Sequence, residues 1–78
     1  MLGGMKMELA SIRPGMAAKV IHIPQCPLKD RLRQFGLVEH STVRCRYARR
    51  NLLALEWAGT AVAVRRKDIK GFVAQVIS

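Results

Sequence analysis

Apolar positions in this 78-residue chain change period along its length. Between Pro27 and Leu37, residues Leu28, Leu32 and Phe35 recur at i, i+4 and i+7, on one face of a helix of about three turns. Pro27 suits the first helical position, where its missing N–H leaves no bond unmade, and Asp30 lies near the positive end of the helix dipole. Gly36 predicts the left-handed residue that ends the helix, with Leu37 folding back onto Leu32. This segment, about residues 27–36, carries the only strong helical signal.

The rest alternates with period two. Residues 1–7 read as a flexible terminus, with structure starting near Met7 or Glu8, and residues 8–78 read as one domain. Leu9 and Ile12 are spaced for one short helical turn, which Pro14-Gly15 closes as the centre of a tight turn. Met16 to Ile23 is the first strand. Ala18, Val20 and His22 share one side, and a bulge near Ile21–His22 would turn both Val20 and Ile23 inward. Thr42 to Tyr47 alternates with Val43, Cys45 and Tyr47 inward, then Arg49-Arg50-Asn51 forms a polar hairpin tip. Leu52 to Trp57 returns with Leu53, Leu55 and Trp57 in the core. Ala58-Gly59-Thr60 turns the chain into Ala61–Val64, with Val62 and Val64 inward. A short helical turn near residues 66–70 ends at Gly71, and the last strand, Phe72 to Ile77, points Phe72, Ala74 and Val76 inward. Five short strands, tight turns and one inserted helix predict a mainly β fold, a small and strongly bent antiparallel barrel. Val73 and Ile77 leave the last strand apolar on its second face, which suggests a covering partner, either another copy or a different protein.

Composition narrows the function. A chain of this size forms one domain and buries only about 60% of its unfolded surface. Four aromatic residues leave too little for a groove that stacks bases or binds proline-rich peptides. Fourteen Lys and Arg against five Asp and Glu give +9, a charge suited to an acidic protein face, nucleic acid or an anionic membrane. Cys26 and Cys45 form no CxxC, and neither a signal-peptide core nor 18 uninterrupted apolar residues occurs. Free thiols in the cytoplasm, with no insertion into the membrane, are the expectation.

Candidate chemistry is sparse. The five carboxylates stand singly, with no nucleophile–base set and no glycine-rich phosphate loop, so enzymatic activity is not expected. His22, Cys26, His40 and Cys45 are the only soft metal donors. None falls at ligand-pair spacing, so neither a metal nor another cofactor is expected. The basic residues form two sets. Lys29, Arg31 and Arg33 sit on the helix, with Arg31 flanking its apolar stripe. Arg44, Arg46, Arg49 and Arg50 join Arg65, Arg66 and Lys67 on adjacent strands, a cluster that needs an anion. The candidate partner-binding residues are Lys29, Arg31, Arg33, Arg49, Arg50, Arg65 and Arg66, with Val73 and Ile77.

Three pieces of the chain resemble the FeoA family, small cytosolic proteins of bacterial ferrous iron uptake with an SH3-like barrel. They are the opening Leu9–Val20 with its Pro14-Gly15, the run Arg31-Leu32-Arg33-Gln34-Phe35-Gly36-Leu37, and Gly59-Thr60-Ala61-Val62-Ala63-Val64-Arg65. The resemblance covers residues 8 to about 77. It departs at His40, where the family has Gly, and at Arg49-Arg50-Asn51, where the family has a longer hairpin containing proline. It implies a non-enzymatic adaptor docking on the cytosolic GTPase part of the ferrous iron permease. Backbone-driven nucleic-acid binding by a small basic barrel is the alternative.

Overall fold

The computed structural model describes residues 5–77. Six strands, β1 (Lys6–Glu8), β2 (Ala17–His22), β3 (Thr42–Ala48), β4 (Leu52–Trp57), β5 (Thr60–Arg65) and β6 (Val73–Val76), form one antiparallel sheet in the order β1-β6-β2-β3-β4-β5. The sheet bends around a single core in which Leu9, Ile12, Val20, Val43, Leu53, Leu55, Ile69 and Phe72 are buried. Its end strands β1 and β5 do not pair, so the barrel is open. The helix α1 (Pro27–Gln34) buries Leu32 against the core, with Leu28 packed beside it. Short 3₁₀ turns occupy Leu9–Ser11 and Arg66–Ile69, at the two places where the sequence predicts short helical turns.

The end of α1 shows why the sequence reads so clearly there. Gly36 holds φ +90°, its N–H donates to the Arg33 carbonyl at 2.9 Å, and the Leu37 N–H donates to the Leu32 carbonyl at 2.9 Å. Those two bonds and the buried Leu37–Leu32 pair make a Schellman cap. Trp57 then ties the cap to β4, its Nε1 donating to the Phe35 carbonyl at 2.9 Å.

The expected bulge in β2 is present, as a register shift between Val20 and His22 that leaves Val20 and Ile23 both buried. His22 faces solvent instead of joining Ala18 and Val20. A second bulge, between Cys45 and Tyr47, is not visible in the alternation of β3. It adds one residue opposite β4, so the inward parity passes from Cys45 to Ala48, and Tyr47 turns out to solvent, 44% exposed. Phe35 is likewise 52% exposed instead of completing the helical stripe. It is the capping residue, with φ −92° and ψ 7°, and no longer follows the helical phase.

The sixth strand is β1, which the pattern does not show because Lys-Met-Glu offers one apolar residue in three. It pairs with β6 from Lys6↔Gln75 to Glu8↔Val73, so that Lys6 and Met7, in the stretch 1–7 expected to be flexible, belong to the sheet together with Glu8, the expected start of the domain. Residues 1–4 of that stretch lie outside the described residues. Val76 is half-buried, short of the core position expected for it.

Candidate interaction surface

The basic residues expected to cluster are divided among different tasks. Arg44 donates to the Gly15 carbonyl at 3.0 Å, and Arg46 lies 3.5 Å from Glu56. Arg66, half-buried, donates through Nε to the Arg49 carbonyl at 2.9 Å and through Nη1 to the Ala10 carbonyl. It joins the 3₁₀ turn at Leu9–Ser11 to the β3–β4 hairpin, a structural role that single-sequence charge counting does not reveal. Arg49 stacks over the Tyr47 ring at 5.6 Å, within cation–π range. Arg50, Arg65 and Lys67 have no carboxylate partner among the described residues. Arg65, Arg66 and Lys67 line an open groove of about 740 Å³ with Asn51 and Leu52.

On α1 the candidates split. Arg33 pairs with Asp30 at 3.4 Å, an exposed contact between neighbouring turns, and with Lys29 it lines a shallow groove beside Val38 and Glu39. Arg31 faces the other way. With Arg65 it lines a groove of about 390 Å³ between α1 and β5, which Leu28, Phe35, Val62 and Asp68 also line. The structure thus brings Arg31 to Arg65, which are far apart in sequence, and separates Arg31 from Lys29 and Arg33. Val73 is half-buried in β6, which β1 and β2 flank within the sheet, whereas Ile77 is 54% exposed just past the strand.

Sequence reasoning missed Phe35 and Tyr47, assigning both to the core. The Gly36 cap contained the signal for Phe35, since the residue before a left-handed glycine closes the helix and is free to swing out. Nothing in the alternation of β3 marks the bulge that releases Tyr47.

The four soft donors are not assembled. No group of three or more His, Cys, Asp or Glu side chains among the described residues is arranged to hold a metal ion. Cys45 is 1% exposed, and burial pushes its thiol pKa up, against a smaller opposing effect of Arg66. Its Sγ donates weakly to the Tyr47 carbonyl at 3.4 Å. Cys26 and Cys45 are unpaired thiols. Glu39 accepts the Ile23 N–H at 3.0 Å, and that bond holds its carboxyl below the ordinary value against a small desolvation effect, with Lys29, His22 and His40 adding to the lowering. Its Oε2 stands 3.4 Å from His22 Nδ1. These contacts join the end of β2 to the loop after α1, a structural arrangement. No helix among the described residues is long and apolar enough to cross a membrane.

No protein-family model matches the chain, and no curated protein matches it in sequence. Solved structures do. The crystal structure of the iron uptake regulatory protein FeoA superposes with a TM-score of 0.83 at 16% identity, over 94% of this chain and 100% of that one. FeoA from Chlorobium tepidum gives 0.82 at 20% identity, over 92% of this chain and 71% of that one. The FeoA-like protein of Clostridium acetobutylicum gives 0.78 at 20% identity, over 100% of this chain and 92% of that one. The chain therefore has the FeoA fold, the small barrel expected from the resemblance.

Proposed function

We propose that this chain is a non-enzymatic accessory protein of ferrous iron uptake. It works in the cytoplasm by contact with the GTPase part of an iron permease. The observation that carries the reading is the likeness of nearly the whole chain to three FeoA structures. The surface supports a binding role. Arg31 and Arg65, neither with a carboxylate partner among the described residues, line an open groove with exposed Phe35, and the described residues bring together no nucleophile–base pair suited to catalysis. Binding of this kind shifts the permease between conformations by its differential affinity for them. The folded protein is expected to capture the permease's soluble cytosolic domain at tens of micromolar or better. Absence of capture with folded material overturns the reading.

One observation favours a second reading. The groove carrying Arg65 and Lys67, beside the Arg50 hairpin tip, also suits a phosphate backbone. Such binding would fall by orders of magnitude between low and physiological salt in a gel-shift titration. Binding to the permease domain would hold over the same range.

A further inference from the structure

The two free edges of the sheet are unequal. β1 is three residues long and carries Lys6 and Glu8, features that discourage further pairing. β5 is six residues of Thr-Ala-Val-Ala-Val-Arg, without charge until its last position and without proline. Trp57 and Thr60 close the Ala58-Gly59 turn as a hydrogen-bonded pair. By the alternation of antiparallel ladders, the N–H and C=O groups of Ala61 and Ala63 point away from β4. No other strand among the described residues pairs with them.

Each side of this edge opens into a groove with an exposed aromatic. On the core side, Phe35 and Leu28 of the helical segment lie across from Val62 and Val64, with Arg31 and Arg65 in the same groove. On the outer side, Tyr47 and Arg46 lie beside Ala61 and Ala63. The bulge at Arg46 and the cap at Gly36 place those aromatics there, and neither ring is needed to fill the core. Ala61 and Ala63 are exposed and small, so they leave room for bulkier side chains against Tyr47.

We propose that β5 is a docking edge that takes an extended, acidic segment of another protein as an added strand. Successive side chains of that segment would fall alternately toward Phe35 and toward Tyr47. The two grooves hold three arginines and one acidic residue, Asp68, on a chain of net charge +9. Arg46 already has Glu56 beside it, while Arg31 and Arg65 have no carboxylate partner among the described residues. That balance selects acidic residues in the incoming strand. It also disfavours a second copy, which would set two +9 molecules edge to edge. The inference rests on the accessory role above in taking the partner to be a protein, and it names the surface and the chemistry of recognition.

The test uses the full chain and a synthetic peptide of about eight residues alternating valine and glutamate, with polyglutamate of equal charge as control. Ala63→Pro removes an N–H that makes no ladder bond, so the fold is expected to tolerate it at this edge. The alternating peptide is expected to slow amide exchange at Ala61 and Ala63 at least about tenfold, and Ala63→Pro or Arg31→Glu to weaken binding at least about tenfold. If Ala63→Pro does not fold, Phe35→Ser combined with Tyr47→Ser serves instead. Equal binding of polyglutamate, or protection centred on Arg50 and Lys67, overturns the proposal. So does absence of peptide binding, or a concentration-dependent dimer abolished by Ala63→Pro, which would assign the edge to a second copy. Capture of the permease domain equally by wild type and Ala63→Pro overturns the edge and leaves the accessory role standing. Peptide binding without permease capture does the reverse.

Discussion

His40 holds φ +78°, in the left-handed region, at the position where the FeoA resemblance expects glycine. The departure therefore leaves the backbone of the turn as glycine would have it, and the histidine bears the strain. His40→Gly is expected to stabilise the fold by about 1 kcal/mol, read as a higher urea midpoint at unchanged slope. An unchanged or lower midpoint would show that the turn gains something from the side chain. Arg66→Ala is expected to cost about 2 kcal/mol, because it leaves the Ala10 and Arg49 carbonyls without their charged donor. Arg50→Ala is expected to be neutral within about 0.5 kcal/mol. Equal effects of the two would contradict the division of the arginines into structural and free. Glu39 supplies a pH dependence of known sign. Its carboxyl is depressed in the folded protein, so its contribution is present above the ordinary Glu value and fades as pH falls through the folded value. In urea titrations from about pH 6 to pH 3, the gap between wild type and Glu39→Gln is expected to shrink with acid. A constant gap would remove Glu39 as the source.

At the scale of elements, α1 was legible because every local signal agreed: Pro27 at its start, Leu28 and Leu32 on one face, and Gly36-Leu37 closing it. Leu32 is 2% exposed, and Leu32→Ala is expected to cost about 3 kcal/mol in chemical denaturation. A loss below about 1 kcal/mol would mean that the helix is peripheral to stability. The hairpins were equally readable from the alternation of Leu53, Leu55 and Trp57 and from the Ala58-Gly59 turn. The edge-strand β1 was not, since its pairing with β6 is decided by residues almost seventy positions away. The bulge in β3 was hidden for a different reason. Thr42–Tyr47 alternates cleanly in sequence, and only the pairing with β4 shows that Arg46 is the additional residue.

At the scale of the molecule, the candidate surface was half legible. The arginines are evident from charge alone, but the fold decides which of them serve carbonyls, which face grooves, and that Arg31 and Arg65 share one. Of the apolar half of the surface, Phe35 was foreshadowed by the Gly36 cap, whereas Tyr47 came only with the tertiary structure. Because Cys45 is sealed in the core and Cys26 is partly exposed, a thiol reagent is expected to modify Cys26 first and Cys45 only on global opening. Equal labelling rates in native buffer would contradict the packing of β3. The sheet order bears on biosynthesis as well. β6, the last of the described strands in chain order, lies between β1 and β2. A chain made only as far as Arg65 therefore has its meander but lacks the ladders that β6 makes to β1 and β2. β1 gains its place beside β2 only through β6, so the sheet is complete only once the whole stretch from Lys6 to Val76 is available.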